Sequence, residues 1–421
     1  LALSMIKTFF EMELDDEKNV VDNRHHFDGM KIMEAGDEYW QHMGRYPVIS
    51  MSLKSTRQPN FHLAYTLLCR QIAGEYDRHK YVLQGGALSK TDKRRYQAIL
   101  DLKKDDALYS DSLRFLSECL EKYHKTKVII LLDEYDVPLE NAFFKGFYEK
   151  MVDFIRSLFE SALKTNDCLQ MAVVTGCLRI SKESIFTGLN NLDIYSILSN
   201  NFAEHFGFTQ PEVEEMLCYY GFPEKIQEAH DWYDGYLFGM TNVYNPWSVI
   251  NYVREAASNP NAFPRPYWSN TSSNGIIREL VEKADGLAKD ELENLIAGGT
   301  IEKPIHEDVT YGEIYDKQEN LWNFLFFTGY LKAISQRFEG NKIYLTMTLP
   351  NEEVKYVYEN KIQEWFDENV RKADFTPFYQ AMRVQDTQKM EEFINNQLNF
   401  SISYHDEGER FYHGYLLGIL G

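Results

Sequence analysis

The stretch Val128-Ile129-Ile130-Leu131-Leu132-Asp133-Glu134-Tyr135-Asp136-Val137-Pro138 decides the fold. Five apolar residues run without a polar interruption and end on an acidic pair. A run of that kind reads as a strand buried on both faces, the property of strands in parallel sheets. Working outward, strands and helices alternate. FYEKMVDFIRSLFESALK (147–164) has helical spacing, and CLQMAVVTG (168–176) is the next apolar run. Upstream, YPVISMSLKS (46–55) reads as a buried strand and FHLAYTLLCRQIAGEYDRH (61–79) as a helix. SKTDKRRY (89–96) reads as a polar, solvated loop before a second helix from about Ser110 to Tyr123. In LALSMIKTFF (1–10), Ala2, Met5, Ile6, Phe9 and Phe10 share one helical face. The alternation predicts an α/β domain with a parallel sheet covered on both sides.

The acidic pair carries the chemistry. Ligands of open α/β sheets bind at the carboxyl edge, where Asp133 and Glu134 fall. In nucleotide hydrolases an Asp there holds Mg²⁺ through water, since this ion prefers oxygen ligands and keeps part of its hydration shell. A neighbouring Glu orients and deprotonates the attacking water. The plain alternative is a strand that simply ends on two solvated carboxylates. Thr175, at the tip of Val173-Val174-Thr175-Gly176, is placed to sense a γ-phosphate and its water; its plain alternative is a turn. No H-x-x-x-H or Cys/His pattern points to a transition metal.

Composition narrows the classes. The 421 residues are 44% apolar and 14% aromatic, with 12 Pro and 24 Gly, which excludes disordered and collagen-like chains. With 44 Lys and Arg against 64 Asp and Glu the net charge is −20, so any polyanion must bind in a local basic pocket. Cys69, Cys119, Cys168, Cys177 and Cys218 fall at irregular spacings, a reduced cytoplasmic pattern rather than a disulfide framework. No segment approaches the 18 or so apolar residues of a membrane span, and no membrane association is expected.

Beyond about residue 200 the pattern turns mostly helical. Thr209-Gln210-Pro211-Glu212 has the form of a capping box, and Asn245-Pro246 reads as an N-cap with Pro in the first turn. Helices are expected at 274–284, 287–297, 319–334 and 351–372, with one strand, KIYLTMTL (342–349). The aromatics of 232–253 read as domain packing, with a base-stacking platform as the alternative.

LALSMIKTFFE (1–11), LLDEYDVPL (131–139), TGCLRISKESIFTGLNNL (175–192), FGFTQPEVEEML (206–217), WYDGYLFG (232–239), VYNPWSVINY (243–252), YWSNTSSNGII (267–277), FLFFTGYL (324–331) and YHGYLLGIL (412–420) occur in the order in which they are found in one family. On these stretches the chain resembles the bacterial AAA-ATPase-like proteins, which usually join a P-loop ATPase to a C-terminal PD-(D/E)xK nuclease-like domain. The resemblance implies a P-loop NTPase parallel sheet, lacking its first strand, over 1–200. A mostly helical lid domain would follow over 201–360, and a helical connector with the first nuclease-like helix over 361–421. It implies ATP and Mg²⁺ as cofactors, Asp133 as the Walker B magnesium ligand and Glu134 as the catalytic carboxylate. Arg179 and Lys182, in the RI-x-KES motif, would touch phosphate or a neighbouring subunit, or else be surface cations.

The chain departs from that pattern in having no G-x-x-x-x-G-K-[ST] loop. The expectation is therefore a fragment of a larger cytoplasmic protein, truncated at both ends and inactive as it stands. The loop would precede Leu1 and the D…(D/E)xK core would follow Gly421. Glu409 aligns with the acidic position of the first nuclease-like helix but reads here as a surface carboxylate. Expected partners are nucleotide, a nucleic acid reached through the missing domain, and further copies of the chain. Two other classes stay open. One is a non-catalytic regulatory or binding module that uses nucleotide as a structural ligand. The other is a paired-carboxylate hydrolase resting on Asp133, Glu134 and Asp136.

Overall fold

The computed structural model describes residues 2–15, 17, 19–177, 185–186, 191–268, 286–307, 318–360 and 376–399. The chain divides into two compact units, Leu1–Asp193 with Asp308–Glu313, and Ile194–Glu307 with Ile314–Gly421. Among the described residues no helix is long and apolar enough to cross a membrane.

The first unit is built on a three-stranded parallel sheet in the order β1 (Val48–Ser52), β2 (Val128–Asp133), β3 (Leu169–Val174). Residues 128–132 are 0–1% exposed, so both faces of β2 are covered, as its unbroken apolar run demands. Helix α1 (Ala2–Phe10) covers one face: Leu3, Ile6 and Phe10 pack with Val173 against Val48, Ile129 and Leu131. The C-terminal end of α1 lies at the amino edge of the sheet, where Tyr46 N–H donates to Phe10 O at 3.0 Å. Helix α1 thus runs antiparallel to the strands, and its first turn points towards the carboxyl edge. The Phe61–Arg78 and Ser112–His124 helices lie against β1 and β2.

The stretch read as a polar loop is instead a helix, Lys90–Leu100. Ser89 Oγ accepts the Asp92 N–H at 3.1 Å, and the Asp92 carboxylate accepts the Ser89 N–H at 3.2 Å. This is a capping box closed by Asp in place of Glu, and Tyr96 and Ile99 supply the buried stripe.

In the second unit the Gln210–Tyr219, Ile226–Tyr233 and Pro246–Ser258 helices share a core of Val213, Leu217, Tyr233, Val249 and Tyr252. Both expected caps form. Thr209 N–H donates to the Glu212 carboxylate at 2.8 Å, and Asn245 Oδ1 accepts the Trp247 N–H at 3.0 Å. Its strand content exceeds the expectation of a mostly helical unit. Tyr236–Phe238 (β4) and Thr241–Val243 (β5) form a hairpin, and Ile301–Ile305 (β6), Lys332–Glu339 (β7) and Lys342–Thr348 (β8) form an antiparallel sheet in the order β6-β8-β7. The helix expected over 319–334 ends at Phe327, where Gly329 (φ +84°) turns the chain into β7. Helices Gly286–Ile296, 352–360, Thr376–Arg383 and Thr387–Asn399 complete the described part. The helix expected over 274–284, residues 361–372 and the tail carrying Glu409 lie outside the described residues.

Candidate active site

Register brings the site residues to one level. Ser52 pairs with Asp133 and Leu132 with Val174, so the three strands end together at their carboxyl edge. Backbone bonding continues past the strands. Leu53 N–H donates to Asp133 O at 2.9 Å, Thr175 N–H to Leu132 O at 2.9 Å, and Tyr135 N–H to Thr175 O at 3.0 Å. This zipper sets the Thr175 hydroxyl against Asp133, and it donates to Asp133 Oδ1. Asp133 Oδ2 has no hydrogen bond among the described residues and is the oxygen left for a ligand. Strand alternation places Asp133 on the face of Ile129 and Leu131, the face that α1 covers.

Glu134 leaves the strand in a left-handed conformation, φ +53°. That backbone costs a non-glycine residue on the order of 1 kcal/mol and breaks the alternation of side chains. The Glu134 carboxylate lies 3.6 Å from Lys54 Nζ, with side chains 33% and 74% exposed. So open an ion pair contributes at most about 1 kcal/mol and exchanges readily with another partner. Behind it, Arg57 donates to Glu140 at 2.8 Å. Burial raises the Glu140 carboxyl above its ordinary range, with the Arg57 charge opposing.

Asp136 is 2% exposed, and its Oδ2 accepts the Cys177 N–H at 2.8 Å, so it braces the turn after β3. Gly176 is required there: a Cβ would sit 2.5 Å from the Tyr135 ring and 2.8 Å from Asp136 Oδ1. This bracing role weighs against a paired-carboxylate hydrolase, for which Asp136 would have to face substrate.

The structure therefore gathers Asp133, Glu134 and Thr175 at one edge. Arg179 and Lys182 lie outside the described residues. Sequence reasoning missed Lys54 and Arg57; the available signal was two cations directly after a strand whose end meets the same edge. Among the described residues no group of three or more His, Cys, Asp and Glu side chains is arranged to hold a metal ion. The oxygen donors at Asp133 and Thr175 suit a hard, partly hydrated cation such as Mg²⁺, whose remaining ligands are water and phosphate.

Comparison with known proteins is consistent with that geometry. Residues 1–186 match the model of a family described as "Predicted AAA-ATPase", a span that contains all three strands and both carboxylates. Over 161 residues the chain is 30% identical to an uncharacterized protein in the vnfD 5′ region of Azotobacter chroococcum mcd 1. The matched part is 37% of this chain and 29% of that protein, so the chain spans less than a third of its relative's length. No solved structure matches. Residues 1–186 are thus similar to the family of predicted AAA-ATPases.

Proposed function

We propose that the first unit is the hydrolytic core of an ATP-driven switch or motor of the AAA/STAND-like group. The observation that carries this reading is the triad at the sheet edge, in which Thr175 donates to Asp133 and Glu134 stands next in sequence with its carboxylate turned towards solvent. Asp133, fixed by the Thr175 hydroxyl, is the side chain that would hold Mg²⁺ through Oδ2 or an intervening water. The ion would supply charge neutralisation at the phosphate oxygens. Glu134 orients the attacking water and takes up its proton once it parts from Lys54. Helix α1 aims its first-turn N–H groups at the same edge, a polarity that favours anionic phosphates.

The fuller reading includes a phosphate-binding Gly-Lys-Thr loop, which these 421 residues do not contain and whose strand would pair with β3. Residues 201–360 would close over the nucleotide, and 361–421 would connect to a nuclease-like domain acting on nucleic acid, with Arg179 and Lys182 at phosphate or at a neighbouring copy. Turnover requires that loop, so the 421 residues alone are expected to be inactive.

The test is ATP turnover by the full-length parent and its Glu134→Gln variant, with nucleotide binding measured alongside. Loss of general-base action predicts a fall of roughly 100-fold or more at unchanged affinity. If the parent turns over ATP no faster than Glu134→Gln while both bind it, the enzyme reading fails. Nucleotide would then be a structural ligand of a regulatory module.

A further inference from the structure

The Trp232-Tyr233-Asp234-Gly235 turn has no part in the site above, yet it is built to a tight geometry. Gly235 has φ +100°, and a Cβ on it would fall 2.1 Å from Pro350 O and 3.0 Å from Lys332 Nζ. Only glycine permits that approach. Asn351 locks the arrangement: its Nδ2 donates to Asp234 O at 2.7 Å, while its Oδ1 accepts the Val354 N–H at 3.0 Å. The locked turn borders an open cavity of about 510 Å³ that lies wholly within the second unit. That size is within the range of small-molecule sites.

Its charges do not cancel. The cavity is lined by the carboxylates of Glu228, Asp231, Asp234 and Glu352 and by Lys332 and Lys355, with Glu228 already bonded by the Tyr252 hydroxyl and 3.5 Å from Lys225 Nζ. Neither lysine has an ion-pair partner among the described residues. The Asp234 side chain is 14% exposed, and its Oδ1 has no donor among the described residues, so its charge is poorly screened. The His230 ring bridges Asp231 at 3.3 Å and Asp234 at 3.4 Å. The surplus of carboxylates repels nucleotides and other anions. A simple cation would add no acceptor for the two lysine ammonium groups, neither of which is ion-paired among the described residues. A zwitterion satisfies both sets, and Trp232, Leu295, Ile296 and Leu349 offer an apolar wall for its alkyl stem.

We propose that this cavity binds a basic amino acid through its cationic head, its stem and its α-carboxylate, either free or as the C-terminal residue of a peptide. The carboxylate meets Lys332 and Lys355, and the head meets Asp231 and Asp234. The site does not depend on the ATPase reading.

Titration calorimetry on the full chain tests this with L-arginine, the tripeptide Gly-Gly-Arg, agmatine (which lacks the carboxylate) and N-acetylglycine (which lacks the cation). L-arginine or the tripeptide should bind saturably at one-to-one stoichiometry, and the tighter of the two identifies the source. Agmatine and N-acetylglycine should bind about tenfold more weakly or worse, the scale of one charge-assisted contact. Lys332→Met should weaken L-arginine about tenfold and leave agmatine unchanged, whereas Asp231→Asn should weaken both. Lys355→Met repeats the carboxylate test at a second position should Lys332→Met melt early. The proposal is overturned if neither L-arginine nor the tripeptide binds saturably. It is equally overturned if agmatine matches L-arginine, or if both lysine variants fold and bind L-arginine as the parent does.

Discussion

Glu134 and its neighbours show how few atoms define the site. The left-handed turn at Glu134 aims its carboxylate away from the sheet, while Asp133 stays in register and is held by Thr175. Thr175→Val keeps the shape and removes the hydroxyl. On the proposed ATPase reading it is expected to lower ATP turnover by about tenfold, the loss of one hydrogen bond to a charged group. Turnover equal to the parent's would show that the Thr175–Asp133 contact has no part in catalysis. Gly176→Ala is the contrasting case. Its Cβ would overlap the Tyr135 ring and approach Asp136, so a loss of about 1–3 kcal/mol in chemical denaturation is expected. An unchanged denaturation midpoint would mean that the turn yields at no cost.

Single elements explain what could be read from the sequence. VIILLDE was legible as a buried strand because its apolar run has no second reading at that length, and register then placed Asp133 without further information. The capped helix at Lys90–Leu100 was hidden because its box closes with Asp92, and its many charges mask a narrow apolar stripe. β7 was hidden because KAISQRFE alternates weakly and shows few apolar residues, its side chains being mostly exposed. The packing of the β1 edge was illegible altogether, since it joins residues far apart in the chain. Ser50 N–H donates to Glu75 Oε1 at 2.8 Å, and Val48 O accepts from Arg78 and from His79 at 3.1 Å, so side chains replace a neighbouring strand. Burial would raise the Glu75 carboxyl, but bonds from His79 and Arg78 prevail and hold it at about 2. Glu75→Ala should therefore cost about 1–3 kcal/mol, since Arg78 keeps the Glu11 carboxylate but the Ser50 N–H loses its acceptor. A stability within 1 kcal/mol of the parent in urea denaturation, below the cost of one such contact, would show that the edge is not held by this pair.

At the scale of the whole molecule, the two units carry ionisable groups of opposite temper. In the first, burial and the nearby His79 depress the His124 imidazole from 6.5 to about 4. A depressed folded pKa means that the stability it contributes is complete above 6.5 and is lost as the pH falls towards 4. In the second unit, Glu353 is fully buried, bonded by Ser248 Oγ at 2.8 and 3.0 Å and by Trp268 N–H at 2.8 Å. Burial outweighs those donors and raises its carboxyl from 4.5 to about 7. A raised folded pKa works the other way: its contribution is complete below 4.5 and is lost as the pH rises through 7. Between pH 6.5 and 4.5, acidification should thus weaken the first unit and strengthen the second. Hydrogen exchange read by mass spectrometry, corrected for the intrinsic pH dependence of amide exchange, separates the two by peptide. Protection of the core helices should fall on acidification for Ser112–His124 and rise for Pro246–Ser258. Glu353→Gln keeps an acceptor for Ser248 but does not titrate, so it should abolish the rise in the second unit and leave the fall in the first. Parallel loss of protection in both units, or an acid response in Glu353→Gln equal to the parent's, would rule Glu353 out as the origin of the difference.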